Sequence, residues 1–383
     1  MTHRLFCRLG LFSSVLLLSV WMPSVADAAE TLNPVFVAAA AKSPPRTAPA
    51  WRSSYPGLQR ASFEDVFPSG QLDDMGFDAL SLSIERSLAY LRLRNASRVV
   101  SVGGVQVRSE DMVAALVALK AKLAESGALS VQDVSALFDV YRARAPGSAG
   151  KATGYFEPVV QARLEQSPEF NWPIYPAPAD LRKPDDTRRQ IMFQGSLKGR
   201  AEPLAYLPTA VDVSVLQIQG SAMLDLGDGT VGRVNYQAAN GRPYKAIANA
   251  LLDVIPLKQM SMEAIKSYLY ANPQRWEDVL SYDPSYVFLR PVSAGPIGTI
   301  QQVVTAERAI AVDARRVPLG SLCFISIPSL SISRLVLAQD TGGAIKGPGR
   351  FDYFRGTGPA AAERASAMNE AAALYVLLPK VVP

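Results

Sequence analysis

Histidine is almost absent from this sequence: the 383-residue chain has one, His3, close to its start. His3 falls in a segment expected to be removed. Without histidine a Ser-His-Asp triad, a His-assisted cysteine nucleophile and a His-ligated zinc centre are all excluded. Cysteine is nearly as scarce, with only Cys7 and Cys323. Loss of the first leaves Cys323 alone, so neither an internal disulfide nor a thiolate metal site can form, and the apolar core must hold the fold. No metal or cofactor is expected. There is also no dense Lys/Arg tract behind the formal charge of +5, so nucleic acid is not an expected partner. Mild basicity suits attraction to an anionic polymer or membrane surface.

Long hydrophobic runs are lacking too. Leu9 to Val20 is apolar but interrupted by Gly10, Ser13, Ser14 and Ser19, and is too short for a comfortable bilayer span. Arg4 and Arg8 precede it and the small residues Ala26 and Ala28 follow, the pattern of a secretory signal cleaved after residue 28. Cys7 lies before the run and not at its end, so a lipidated N-terminus is not expected. Residues 29–62, rich in Ala and Pro, read as a flexible tether.

The rest has the composition of a folded protein, 49% hydrophobic and 19% charged, and is long enough for one large or two ordinary domains. Its 28 Pro and 26 Gly favour many short strands and turns over a helical bundle. Periodicity predicts helices over Leu72 to Ala96, Ser109 to Ser126 with Ser109 as N-cap, and Val131 to Ala143. Strands are predicted at Tyr155 to Val160, Phe193 to Leu197, Val213 to Ile218 and Arg233 to Tyr236, with a hairpin turn at Asp225 to Gly229. Helices follow at Tyr244 to Val254 and Met262 to Ala271. Short strands return at Val303 to Thr305, Ala309 to Val312, Leu322 to Ser326, Leu335 to Ala338 and Phe351 to Phe354. A last helix is expected from Ala360 to Leu374.

With histidine and cysteine excluded, carboxylates are the candidates for proton transfer. The densest polar stretch runs from Ala338 to Phe354. Asp340 follows an apolar strand and precedes Gly342 and Gly343, which permit close backbone approach. Asp352 lies between Phe351 and Tyr353; on a strand it shares a face with Phe354, and an aromatic neighbour limits hydration and favours the protonated carboxyl that a general acid needs. Asp225 and Asp228 lack the rest of a calcium-loop series and read as turn residues.

At this stretch the sequence resembles the MltA family, the membrane-bound lytic murein transglycosylase A group. The resemblance runs in order from Phe63 to Lys380. It includes Thr153-Gly-Tyr-Phe-Glu-Pro158, Leu216-Gln-Ile-Gln-Gly-Ser221, Asn240-Gly-Arg-Pro-Tyr244, Pro284-Ser-Tyr-Val-Phe288, Ala311-Val-Asp-Ala314 and Val317-Pro-Leu-Gly320. Asp313, Asp340 and Asp352 resemble the aspartates that name the 3D domain. The sequence departs from the family pattern at Ala222, Ala246, Ala248, Asp283, Ala361 and Ser366.

The resemblance implies a mainly β protein with flanking helices. A discontinuous double-psi β-barrel would be built from residues 63–152 and 295–380, with a β-rich glycan-binding domain inserted at 153–294. It implies a periplasmic enzyme, associated with the outer membrane or free, that cleaves the β-1,4 bond between N-acetylmuramic acid and N-acetylglucosamine. The products would be 1,6-anhydromuramoyl ends, with Asp352 as acid and then base. Asp340 would polarise the site and Asp313 support it. Gln217 and Gln219, alternating on one strand, would meet the sugars with Gly220 and Ser221. Tyr155, Tyr244 and Phe354 would stack on them, and Lys346 would meet a peptide or lactyl carboxylate. The chain is expected to act on glycan strands as a monomer, alone or within a cell-wall enzyme complex. Two other readings stay open: a hydrolase on the same barrel with Glu157 or Asp340 as second carboxylate, and a wall-binding module without activity.

Overall fold

The apolar runs β9 (Leu322–Ile327) and β10 (Ile332–Asp340) flank a turn at Pro328–Leu330. Ser331 there takes the left-handed conformation (φ 54°), and the runs fold back as an antiparallel hairpin pairing Leu322 with Leu337 and Ile327 with Ile332. A computed structural model describes residues 30–380, except 44, 45, 51, 53, 94–98, 103, 104 and 145–149. The expected signal lies outside the described residues. No helix among those described is long and apolar enough to cross a membrane.

The remaining strands of two sheets are β1 (Leu58–Ala61), β2 (Phe138–Ala143), β3 (Gly150–Glu157), β4 (Val159–Gln161), β5 (Ser221–Asp225), β6 (Val231–Ala239), β7 (Val287–Pro291), β8 (Ala309–Val312), β11 (Arg350–Thr357) and β12 (Asn369–Pro379). The larger sheet has the order β9-β10-β8-β11-β3-β12-β2-β1, and a further pairing of β9 with β12 closes its first six strands into a ring. β8 runs parallel to β10, and β11 parallel to β3. The smaller sheet, β7-β6-β5-β4, contains the hairpin expected at Asp225 to Gly229, with Asp225 paired to Val231. Its strands fall in sequence between β3 and β8.

Several elements differ from expectation. The segment Val213 to Ile218 is not a strand but part of the helix Ala210–Gln219, whose Thr209 cap accepts a hydrogen bond from the Asp212 amide. It is buried on nearly every side, and an apolar run of that kind carries no helical period. Phe193 to Leu197 likewise holds the end of the helix Arg188–Phe193 and a turn. The helices expected over 131–143 and 360–374 stop at Leu137 and Ser366. Beyond them β2 and β12 pair with each other, and Phe138, Val140, Leu374 and Val376 are buried there. Tyr244 to Val254 contains only a 3-10 turn at Ile247–Leu251, and Val303 makes a single bridge to Ile297. The helix expected from Leu72 is Asp78–Arg92. Tyr155 to Val160, expected as one strand, is divided between β3 and β4. The expected tether holds a helix, Pro34–Lys42, capped by Asn33, and β1. Phe36 of that helix is buried against Gly232.

Two buried contacts fix the ring. Gly154 on β3 is needed because a Cβ there would lie 2.7 Å from the Ala365 Cα, on the helix Pro359–Ser366. Arg308, fully buried, pairs with the equally buried Asp73 and donates to the carbonyls of Leu335 (2.7 Å) and Gly76 (2.6 Å). Asp73 also accepts the Leu335 amide at 2.9 Å, tying the segment before the Asp78–Arg92 helix to β10. Asp73→Ala would strand a buried guanidinium, so chemical denaturation should show a loss of about 3–5 kcal/mol. A loss below about 1 kcal/mol would reject this assignment.

Candidate active site

The strand register sets four residues in one row. On β8, Ala311 is paired with Asp340 of β10 on one side and with Asp352 of β11 on the other. Asp352 is paired in turn with Thr153 of β3, and Thr153 with Asn369 of β12. Residues directly opposite across paired strands share a face, so Asp340, Ala311, Asp352 and Thr153 point the same way. At about 4.8 Å per strand the two aspartates stand about 10 Å apart at Cα, with a methyl group between them. A register shift between Ile310 and Ala311 brings Asp340 into line.

Asp352 Oδ1 accepts from the Thr153 hydroxyl at 2.8 Å, and Thr153 Oγ1 accepts from Arg350 Nη2 at 2.7 Å. Burial pushes the Asp352 carboxyl up to about 6, against the opposing pull of the Thr153 hydrogen bond and the Arg350 charge, while Asp340 adds to the rise. Burial also raises Asp340, although its Oδ1 accepts from the Thr299 amide (2.9 Å), the Thr299 hydroxyl (2.8 Å) and the Thr341 amide (2.8 Å). Its Oδ2 accepts from the Tyr155 hydroxyl at 3.3 Å. The Tyr155 phenol is raised well above its ordinary value by burial and by both aspartates. Its ring packs on Phe354 at 5.0 Å.

Asp313 differs. Its Oδ1 accepts from Arg315 Nε (2.8 Å) and its Oδ2 from Arg315 Nη2 (2.7 Å) and the Gly347 amide (2.8 Å). The Arg315 hydrogen bonds hold this carboxyl well below the usual carboxylate range. It clamps the loop that follows β10.

A cleft of about 750 Å³ opens above this row, and residues of both sheets line it. Among them are Asp352, Asp340, Asp313, Tyr155, Gln217, Gln219, Gly220, Ser221, Tyr244 and Lys346, all the residues singled out from the sequence except Phe354 and Glu157. Their availability differs. Gln217 is buried, with Oε1 accepting from Arg188 and Nε2 donating to the Val287 carbonyl at 3.0 Å, so its amide is spent on the fold. Arg188 is itself paired with Asp283, the departure from the family pattern noted above. Gln219 ends the helix before Gly220 (φ 80°), and its Oε1 accepts the Phe156 amide at 3.2 Å. Helical spacing, and not strand alternation, sets these two glutamines. Tyr244 is 44% exposed and Lys346 is exposed at the cleft edge. Phe354 is buried and packs beneath Tyr155, away from the position of a stacking platform. Glu157 is buried beside Arg233 (2.8 Å) and Thr357 (3.0 Å) and does not line the cleft.

Sequence reasoning missed Thr153 and Arg350 as supports of Asp352, and Thr299 as the support of Asp340. Thr153 stood in a recognised motif, but nothing local announces a partner 199 residues away.

Residues 151–290 match the MltA specific insert domain and residues 308–378 match the 3D domain. Membrane-bound lytic murein transglycosylase A of Escherichia coli (strain K12) is 34% identical over 240 residues. That match covers 59% of this chain and 64% of the relative, so just under two thirds of the relative's length is spanned. A membrane-bound lytic murein transglycosylase from Agrobacterium tumefaciens superposes with a TM-score of 0.73 at 29% identity, covering 85% of this chain and 98% of that one. E. coli MltA with bound chitohexaose superposes at 0.66 and 25% identity, covering 85% and 95%. With both domains matched in order and 85% of the chain covered by the A. tumefaciens structure, the chain belongs to the MltA family and carries its 3D domain.

Proposed function

We propose that this chain is a lytic transglycosylase of peptidoglycan, in which Asp352 acts as acid and then as base. The observation that carries the reading is a carboxyl raised to about 6, hydrogen-bonded by Thr153, in a cleft formed by two sheets. Membership of the MltA family and the chitohexaose bound to the E. coli relative support a glycan in that cleft. We read the closed strand ring as the double-psi barrel of that family and the smaller sheet as its inserted glycan-binding domain. The membrane-bound relatives favour a place in the cell envelope, and the N-terminal pattern favours the periplasm.

Protonated Asp352 donates to the glycosidic oxygen as its bond to the muramic C1 breaks, and the N-acetylglucosamine hydroxyl leaves. Positive charge at C1 is relieved when the muramic C6 hydroxyl closes onto it. Carboxylate Asp352 takes the hydroxyl proton, which restores the acid and leaves a 1,6-anhydro ring. An intramolecular hydroxyl needs no positioned water, so its proximity replaces a second carboxylate. Asp340, anchored by Thr299, keeps negative charge near the developing cation. Asp313 fixes the wall of the cleft. Gln219, Ser221 and Tyr244 contact the sugars, and Lys346 meets a carboxylate of the substrate. A hydrolase would need a second carboxylate at the bond; Glu157 is sealed in its pair with Arg233, which leaves Asp340 for that role, and the mass of the products separates the two readings.

Digests of purified cell wall should release muropeptides lighter by one water than hydrolysis products, as read by mass spectrometry; only reducing muramic ends would sink the reading. Asp352→Asn should lower turnover by about 10²–10⁴-fold while sacculus binding persists. The first step needs the protonated acid, so kcat/KM should fall as pH rises through about 6. Thr153 favours the charged form of Asp352, so Thr153→Val should move that fall to higher pH, by roughly one unit. An unmoved pH profile would show that Thr153 does not tune Asp352.

A further inference from the structure

The smaller sheet has one covered edge and one open edge. At β7 the Leu289 amide donates to the Tyr175 carbonyl at 2.9 Å, so that edge is covered. β4 is the other edge and pairs with β5 alone, in parallel. The Pro158 carbonyl accepts from the Met223 amide and the Ala162 amide donates to the Asp225 carbonyl, which turns the backbone of Val160 towards β5. The peptide groups of Val159 and Gln161 therefore point to the free side. Among the described residues no hydrogen bond is made to them there. The edge is occupied at either end of this gap. The Glu157 carbonyl accepts the Gly358 amide at 2.9 Å, and Arg163 exchanges two backbone bonds with Tyr206, at 3.0 and 2.8 Å. Unpaired N–H and C=O groups on a strand edge are a template for another extended chain.

A second cavity, of about 760 Å³, opens beside the gap. The helix Pro359–Ser366 contributes to one side of it, and the helices Ala210–Gln219 and Met262–Ala271 to the other. Val159, Val160 and Gln161 line it with the apolar side chains of Phe156, Pro208, Val215 and Ala362. Its charged groups are three carboxylates, Asp212, Glu263 and Glu363, against one ammonium, Lys266. Lys266 is 3.5 Å from Glu263, and Asp212 accepts from the Tyr270 hydroxyl at 2.6 Å. Glu363 is exposed, and among the described residues no cation pairs with it. On a chain of formal charge +5, a local excess of acid beside apolar surface selects an occupant that is both basic and apolar. This cavity shares no lining residue with the cleft: on β3, Tyr155 faces the cleft and the next residue, Phe156, faces the cavity.

We propose that the free edge of β4 and this cavity form a docking site for an extended segment of a partner protein, apolar in its middle and flanked by Lys or Arg. The segment adds a strand to the smaller sheet by bonding to the peptide groups of Val159 and Gln161. Its apolar side chains enter the cavity, and its cations meet Glu363 and the neighbouring acids. The cleft stays open on the other face of β3, so the chain can be held by another protein while its cleft is filled. The proposal does not rest on the chemistry assigned to Asp352.

The test titrates the full chain into two labelled peptides and follows fluorescence anisotropy. One alternates valine and threonine between flanking lysines, and the other has glutamates in place of the lysines. The lysine peptide should bind about tenfold more tightly, the size expected of a charge-assisted pair. Its binding should also slow hydrogen exchange in the fragment that holds residues 159–161, as read by mass spectrometry. Glu363→Lys should remove the preference between the peptides. Gln161→Pro should abolish the slowing, because it deletes an edge donor that the fold itself does not use. Glu363 is exposed, so its variant reports even where Gln161→Pro folds poorly. Failure of the lysine peptide to bind, equal binding of the two peptides, or a preference kept in Glu363→Lys overturns the proposal. So does binding with exchange at 159–161 unchanged, the behaviour of a cavity filled by side chains without an added strand.

Discussion

The parallel pairing of β11 with β3 is the constraint on which the site depends. It sets Thr153 opposite Asp352 and so gives a carboxyl in an apolar ring its hydrogen-bond donor. Without that donor the carboxyl would be raised further, opposed by the Arg350 charge, and would be a less ready base. Without burial, it would be an ordinary ionised aspartate. The same register reaches one strand further, through the small side chain of Ala311, to bring Asp340 to the same face. A slip of one residue would turn each of these groups to the other side of the sheet. The packing that holds the register includes Gly154, next to Thr153, against which the Pro359–Ser366 helix lies closely.

Three aspartates with the same ordinary acidity serve as three different devices because their surroundings differ. Asp313, gripped by Arg315 and the Gly347 amide, is a permanent anion and a brace for a loop. Asp340 is raised by burial but has hydrogen bonds to both oxygens, so its position is fixed from several sides. Asp352 accepts one side-chain hydrogen bond, from Thr153, and burial raises its carboxyl to about 6. An arginine partner holds Asp313 low, whereas burial raises both Asp340 and Asp352, the latter to about 6, where proton transfer near neutral pH is possible.

The sequence was legible where its signals were local. Turn residues located the Asp225 hairpin, β-branched runs located β8 to β11, and helical spacing located the helix Ser109–Ser126, although its N-cap is Arg108 and not the expected Ser109. It was illegible where burial hides period. The Ala210–Gln219 helix is buried on nearly every side, and β2 and β12 follow within two residues of short helices, so each boundary was lost. Ordered motifs gathered the cleft-lining side chains, yet the roles of Gln217 and Phe354 changed once their partners were visible. Arg350 and Thr299 carried no signal at all. Each matters through a contact made across distant parts of the chain, and a linear reading has no means of pairing them.

Strand β12 lies between β9, β3 and β2, and its pairing with β9 closes the ring. Asn369, at its start, completes the row of side chains beneath the cleft. A nascent chain therefore lacks the enclosure that raises Asp352 until β12 has been synthesised. Until then Asp352 has no closed ring around it and remains an ordinary ionised carboxylate.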